Sequence, residues 1–217
     1  MLPLVRPMPL AHVTEPFSDP DWLFEPKWDG FRSLAYIDGH QCRLVSRRGH
    51  VYKSWPYLCE ELTHAVRCRN AVLDGEIVCL EPDGRSHFYD VLFRHDWPYF
   101  MAFDLLWLDG RDLRDRPLHE RKRRLAGIMP RVESRVRLVE GVRERGVDFF
   151  RVACQHDLEG IVAKWRGGTY QSGTRTSWLK IRNPNYSQWE GRRELFEARR
   201  DNADRRVRWV RPELALL

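Results

Sequence analysis

The sequence has little lysine, no CxxC pair of cysteines and no long apolar run. Of its 37 basic residues only five are lysine and 32 are arginine. No apolar run approaches the ~20 residues of a membrane span. The three prolines in the first ten residues interrupt the apolar core that a signal peptide needs. The five cysteines are odd in number, which favours reduced thiols. We therefore expect a cytoplasmic protein with no membrane association.

What is present is typical of a folded domain. The chain has 217 residues, of which 42% are hydrophobic and 31% charged, and this balance is that of a folded chain with room for one domain and a small appendage. The formal net charge of +6 allows a polyanionic partner such as nucleic acid. Genomic composition explains an excess of arginine, but it does not explain where the few lysines stand.

Turn and periodicity signals predict an α+β fold with antiparallel pairing. Asp38-Gly39 joins two apolar runs, as in a tight hairpin. The pattern also predicts the helices and strands that follow, together with a charged helix in the tail. The predicted strands are 31–37, 41–46, 71–80, 99–108, 159–164 and 177–182, and the predicted helices are 57–66, 118–128, 142–153 and 188–200.

Charged residues stand inside or beside several of these apolar strands. Lys27 and Asp29 are two residues apart, so an extended segment would place both on one face. Glu76 interrupts an apolar strand, and a buried carboxylate needs a partner or a polar cleft. Lys180 and Arg182 share one face of a third strand. Each has an ordinary alternative: a surface lysine, a strand end after a turn, or a solvated strand edge.

The order of the motifs along the chain is more informative than any one of them. They are Lys27-x-Asp29-Gly30-x-Arg32, Ser46-Arg47-Arg48-Gly49, Asp74-Gly75-Glu76, Phe103-Asp104, Glu159-Gly160-Ile161-Val162-x-Lys164 and Lys180-x-Arg182. In this order they resemble motifs I, III, IIIa, IV and V of the covalent nucleotidyltransferases, which include ATP-dependent DNA ligases, RNA ligases and mRNA-capping enzymes. The resemblance covers roughly residues 22–182. It is closest to bacterial ATP-dependent DNA ligases of the end-joining type.

This resemblance implies a fold and a reaction. The fold would be an ATP-grasp-like adenylation domain, with antiparallel sheets flanked by helices and an active-site cleft between them. In the family, the motif I lysine attacks the α-phosphorus of ATP, expels pyrophosphate and holds AMP as a phosphoramidate. Lys27 matches that lysine, and arginine could not replace it because it is not deprotonated in proteins. AMP then passes to a 5′-phosphate at a DNA nick, and a 3′-hydroxyl displaces it to seal the strand in repair or recombination.

The resemblance also assigns ligands to the other motif residues. Mg²⁺ or Mn²⁺ would be the metal, since its ligands would be carboxylate and phosphate oxygens. The assignments are Asp29 to catalysis with Lys27; Glu25, Arg32, Glu76, Phe103, Lys164, Lys180 and Arg182 to ATP; Arg47 to the 5′-phosphate of the nick; and Glu159, with Glu76 as a second candidate, to the metal.

The chain departs from the family after motif V. DNA ligases usually continue into an OB-fold, a five-stranded domain, whereas only 35 residues follow Arg182 here. We therefore expect an adenylation domain over 1–182 and a basic, helical tail over 183–217. Nicked DNA is the expected partner, with RNA as an alternative, and a protein partner would supply the OB-type function. The competing functions are an RNA ligase, a capping-type enzyme, or a partner-dependent module that binds nicks without catalysis.

Overall fold

The computed structural model describes residues 2–81, 84–86, 88–93, 97–171, 173 and 175–189, and the backbone of 208–209. The strands are β1 Ala11–His12, β2 Trp22–Pro26, β3 Phe31–Asp38, β4 Gln41–Ser46, β5 Asn70–Val78, β6 Tyr99–Leu108, β7 Arg111–Asp112, β8 Val136–Leu138, β9 Val142–Arg143, β10 Gly160–Trp165, β11 Arg175–Thr176, β12 Trp178–Arg182 and β13 Arg208–Trp209. The helices are α1 Pro56–Ala65, α2 Phe88–Phe93, α3 Leu118–Ile128 and α4 Gly146–Gln155, with a 3-10 turn at Ser187–Trp189.

The chain divides into two units. Unit 1 consists of Met1–Pro7 and Asp29–Glu140, and unit 2 of Met8–Trp28 and Gly141–Leu217. None of the helices in the described ranges is long and apolar enough to cross a membrane.

Unit 1 is built on a sheet whose described strands follow the order β4-β3-β5-β6-β7, with β8 added in parallel to β6. The β3–β4 hairpin pairs Asp38 with Gln41, so its two central residues are Gly39 and His40, and Gly39 adopts the positive φ of +57° that glycine allows. Apolar residues of the strands and of helices α1 and α3 form one buried core. Leu58 and Leu62 anchor α1 in it, one helical turn apart.

Unit 2 carries a second sheet, in which the described strands follow the order β1-β12-β10-β2-β9. Phe24, Ile161, Leu179 and Ile181 point to one face, where they pack with residues of α4. Side chains alternate along a strand, so the charged residues between these apolar ones point to the opposite face. The short strand β11 pairs with β13.

The predicted α+β class is confirmed, and most predicted elements match the observed ones within two residues. The predicted helix 142–153 is wrong at its start. Val142–Arg143 instead pair with β2 as strand β9. Helix α4 begins only at Gly146, where a Cβ would overlap the carbonyl oxygen of Phe17. The predicted helix 188–200 lies outside the described residues, except for its first two, which belong to the 3-10 turn.

Candidate active site

In unit 2, three neighbouring strands bring the charged motif residues onto one face of the sheet. The register places Glu25 of β2 and Lys180 of β12 on either side of Val162 of β10. Cross-strand neighbours share a face, and Lys164 lies two residues beyond Val162 on that same face. Glu25, Lys164 and Lys180, together with Lys27 and Glu159 at the strand ends, are called the amine cluster below.

Lys27 stands immediately after β2 and is paired with Glu159, which stands immediately before β10. Its Nζ lies 2.5 Å from Oε2 of Glu159. The backbone N–H of Lys27 donates to the carbonyl oxygen of Gly160 at 2.9 Å, which fixes the end of β2 against the start of β10. The side chain of Lys27 is 17% exposed, whereas Glu159 is buried. The result is a primary amine held by a carboxylate and still open to solvent.

The glycine after Glu159 explains why the pair forms here. Gly160 has a φ of +140°, in a region that residues with a Cβ rarely adopt. A Cβ at this position would also overlap the carbonyl oxygen of Ile181 on β12. Only glycine lets β10 start this close to β12, and that start sets the position of Glu159.

A second ion pair lies deeper on the same face. Nζ of Lys164 is 2.5 Å from Oε2 of Glu25, and both side chains are buried. The same ammonium lies 4.1 Å from the ring centre of Trp178, a cation–π contact. Lys180 is also buried on this face, and the guanidinium of Arg182 lies 5.2 Å from the ring centre of Trp189. The amine cluster therefore gathers three lysines and two carboxylates in one unit.

In unit 1, the strand register brings together a second set of predicted residues. Arg32 of β3 lies directly opposite Glu76 of β5. Arg32 forms a bidentate pair with the buried Asp74, from Nε to Oδ1 at 3.1 Å and from Nη2 to Oδ2 at 2.7 Å. The planar guanidinium is thereby fixed in orientation, with Glu76 as its cross-strand neighbour. Arg32, Asp74, Glu76 and Phe103 are called the Arg32 cluster.

Phe103 joins this cluster through a β-bulge. Asp74 pairs with Asp104 but Gly75 pairs with Ala102, so Phe103 is an extra residue in β6. Bulges re-aim a side chain and are common beside active sites. The half-buried ring of Phe103 lies with its centre 5.6 Å from the guanidinium carbon of Arg32. The ring of Phe103 and the carboxylate-bearing residue Glu76 thus both lie beside Arg32.

The remaining predicted residues of unit 1 are Asp29 and Arg47. Asp29 is buried, and its backbone N–H donates to Oγ of Ser86 at 3.4 Å. Arg47 is exposed in the turn after β4. Burial, and next the charge of Glu76, raise the pKa of Tyr52 to about 12, whereas Arg47 opposes the shift. Glu76 and Arg47 therefore both lie within electrostatic range of Tyr52.

The motif carboxylate of Asp104 forms a buried ion pair with Arg121 of helix α3. The side chains of Asp104 and Arg121 are both 0% exposed, and they form two hydrogen bonds of 2.8 Å. Oδ1 of Asp104 also accepts the N–H of Leu105 at 2.8 Å. Asp104 thus ties β6 to helix α3.

Comparisons with known proteins match the chain to a family. A family model described as "ATP dependent DNA ligase domain" matches residues 4–182, most of the chain. The chain belongs to this family. The resemblance proposed from the motif order is confirmed.

Several curated relatives and solved structures are similar to the chain. It is 32% identical over 180 residues to the multifunctional non-homologous end joining protein LigD of Pseudomonas aeruginosa, covering 80% of this chain and 21% of LigD. It is 31% identical over 193 residues to the SPbeta prophage-derived DNA ligase-like protein LigB of Bacillus subtilis, covering 85% and 69%. The structure of mycobacterial DNA ligase D complexed with ATP and MES matches with a TM-score of 0.69 and 33% identity, covering 82% of this chain and 60% of that one.

These matches confirm the fold, and they also show how much of a relative the chain represents. The nucleotidyltransferase-type α+β fold is that of the mycobacterial ligase domain. The chain spans about a fifth of the length of the Pseudomonas relative.

The structure brings several of the predicted site residues together within each unit. Lys27, Glu159, Glu25, Lys164 and Lys180 meet in unit 2, and Arg32, Glu76 and Phe103 meet in unit 1. Lys27 and Asp29 do not share a strand, because β2 ends at Pro26 and β3 begins at Phe31.

Sequence reasoning missed the partners Asp74, Arg121 and Trp178. Each lies in a predicted element, but its partner is set by strand register or by packing on another element, for which local sequence carries no signal.

Proposed function

We propose that this chain is the adenylation domain of an ATP-dependent DNA ligase, in which Lys27 takes AMP from ATP and passes it to the 5′-phosphate at a DNA nick for sealing in end-joining repair. The observation that carries the proposal is the partly exposed Lys27 amine, 2.5 Å from a buried carboxylate in the amine cluster. The names of the relatives, which include an end-joining protein and a ligase complexed with ATP, support the same chemistry.

The first step follows from the chemistry of Lys27. A neutral Lys27 Nζ attacks the α-phosphorus, a nitrogen–phosphorus bond forms, and the bond to pyrophosphate breaks. Glu159 lies at hydrogen-bond distance and accepts the proton that the amine loses. Lys180 and Arg182 lie on the same strand face and stabilise the negative charge on the phosphate oxygens. The charge of Lys164 is neutralised by Glu25, and this buried pair helps to hold β10 against β2.

In the Arg32 cluster, Phe103 stacks on adenine and Glu76 accepts hydrogen bonds from the ribose hydroxyls. A stacked aromatic ring contributes through its π-face, and the bulge leaves Phe103 half-buried beside Arg32. Asp74 holds Arg32 in place through the bidentate pair. Arg47, exposed in its turn, is assigned to the 5′-phosphate of the nick.

The carboxylate oxygens of Glu159, together with the phosphate oxygens of ATP, fit a divalent cation of the Mg²⁺ or Mn²⁺ type. In the described part of the chain, no group of three or more His, Cys, Asp or Glu side chains is placed to hold a metal. Mg²⁺ does not need one, because it is often held by one or two carboxylates together with substrate phosphates and water. Glu159 would supply the carboxylate. When bound, the ion would neutralise charge on the phosphates of ATP.

Labelling with α-³²P-ATP tests the proposal. Wild type is expected to gain one covalently bound AMP, seen also by intact mass. Lys27→Arg keeps the charge but removes the nucleophile, so we expect no label. The matched control is Lys53→Arg, at an exposed lysine outside the motifs, which should label like wild type. Equal labelling of the Lys27→Arg variant would refute the assignment.

Further assays test the substrates. EDTA should abolish labelling, and Mg²⁺ should restore it. Gel assays with nicked DNA and nicked RNA, with and without candidate OB-type partners, test the nucleic acid and the partner. Preferential labelling by GTP would favour a capping-type enzyme, and sealing of RNA nicks alone would favour an RNA ligase.

We place the protein in the cytoplasm, since its five cysteines are all free thiols.

A further inference from the structure

Unit 1 carries a groove outside the Arg32 cluster, with a volume of about 590 Å³. The start of α1, the residues entering β6, and β8 form its walls. Aromatic rings and two arginines line much of it: Trp55, Tyr57, Trp97, Tyr99, Arg135 and Arg137. None of these residues belongs to the ligase motifs.

Two of the aromatic rings are unusually open to water. Tyr57 is 64% exposed and Trp97 is 56% exposed. Their rings stack with centres 5.1 Å apart and an angle of 25° between the planes. Clustered exposed apolar surface marks an interaction site more often than a scattered residue does. Each ring covers part of one face of the other, and the exposed outer surface of this stacked pair, called the ledge below, is what a planar ligand can cover.

The arginines stand beside this ledge with their guanidinium groups over a third ring. The guanidinium carbons of Arg135 and Arg137 lie 4.9 Å and 4.7 Å from the ring centre of Tyr99. Arg135 also donates a hydrogen bond to the carbonyl oxygen of Trp97. A guanidinium has five N–H donors, so both arginines keep donors for a phosphate while they remain held over the ring.

Two carboxylates also line the groove and limit what it binds. Glu61 accepts a hydrogen bond from Oγ of Ser134 at 2.8 Å. Glu133 is exposed and lies 3.7 Å from Arg137, a loose surface pair that a phosphate can displace. Carboxylates accept hydrogen bonds from exocyclic amines of bases, such as N4 of cytosine. The aromatic ledge and the carboxylates are therefore suited to binding bases, and the two arginines are suited to binding phosphates.

We propose that this groove binds an unpaired segment of a nucleic-acid strand. One base stacks on the ledge formed by Tyr57 and Trp97, and Arg135 and Arg137 hold the adjacent phosphates. Stacking platforms combined with cationic groups are the general mode of single-strand binding. The net charge of +6 favours such a polyanion. This function goes beyond nick adenylation and does not depend on Lys27.

Fluorescence anisotropy with a labelled single-stranded oligodeoxynucleotide and the full chain tests the proposal. Trp97→Leu should weaken binding about 5-fold to 150-fold, the range for loss of one base–aromatic stack. Tyr57→Phe keeps the ring and should bind like wild type. An abasic oligonucleotide of the same length keeps the phosphates and should bind wild type and Trp97→Leu equally. Trp97→Phe, which retains a ring, provides an intermediate case should the leucine variant unfold.

A charge-matched pair of variants tests the phosphate contact. Arg137→Gln should reduce the slope of log affinity against log salt by about 0.7, the value per phosphate contact on a single strand. Arg111→Gln removes the same charge from an exposed position on β7 and should leave the slope unchanged.

Three outcomes would overturn the proposal. They are equal binding by wild type and Trp97→Leu, tight binding of the abasic strand, or Trp97-dependent binding of a proline-rich peptide in place of the oligonucleotide. The Lys27→Arg variant should lose AMP labelling and keep oligonucleotide binding, so a failure of the proposed ligase activity is distinguishable from a failure here.

Discussion

Replacing Arg121 by methionine tests the buried pair that links β6 to helix α3. The change leaves the carboxylate of Asp104 without its partner, where both side chains are 0% exposed. Breaking a buried pair on one side costs about 3–5 kcal/mol. For a chain of this size, 1 kcal/mol corresponds to about 2–4 °C in Tm. We therefore expect Tm to fall by about 6–20 °C, measured by circular dichroism and urea unfolding.

Arg114→Met is the matched control. Arg114 pairs with Asp112 at 2.5 Å, but these side chains are 33% and 38% exposed. Solvent screens such a pair, so we expect a loss of at most about 1 kcal/mol. The distances in the two pairs are similar, but the pair of Arg121 is buried and Arg121 also donates a hydrogen bond to the carbonyl oxygen of Arg116.

A double variant completes the test. Asp104→Asn removes the buried charge but keeps the oxygen that accepts the N–H of Leu105. Combined with Arg121→Met it should be more stable than Arg121→Met alone, with a coupling energy of about 0.5–3 kcal/mol. Equal Tm losses in Arg121→Met and Arg114→Met, or additive effects in the double variant, would refute the reasoning.

Two further predictions concern the sites themselves. The pKa of Tyr52 is raised from 10.0 to about 12, so Tyr52 ionises first in the unfolded chain, and the free energy of unfolding should fall as pH rises from 10 to 12. Tyr52→Phe should remove this part of the fall when the free energy is measured by urea unfolding across the same pH range. An unchanged pH profile in the variant would contradict the prediction. Gly160→Ala forces a Cβ onto the carbonyl of Ile181 at a φ of +140° and should lower both Tm and AMP labelling. The control is Gly127→Ala in α3, where the added Cβ contacts nothing and alanine favours the helix more than glycine does, so the free energy of unfolding should rise by up to about 1 kcal/mol. A loss of stability in both glycine variants would contradict the steric argument.

Local sequence signals specify some elements of this fold, and tertiary packing specifies others. The β3–β4 hairpin and helix α3 were predictable, because the turn glycine Gly39 and the helix start signal at Pro117 act within a few residues. The start of α4 was not, because packing against Phe17 sets where Gly146 must lie. The bulge at Phe103 also escaped prediction, since it appears only when β6 is paired with β5.

The sequence by itself determined the chemical repertoire: a lysine where arginine could not act as nucleophile, carboxylates in apolar strands, and the ligase motifs in family order. Only the tertiary structure decided which charges meet. Lys27 and Glu159 are 132 residues apart in the chain, and Lys164 and Glu25 are 139 apart. Strand register brings them within 2.5 Å. A buried charge requires a partner, but register and packing, to which residues throughout a unit contribute, select that partner.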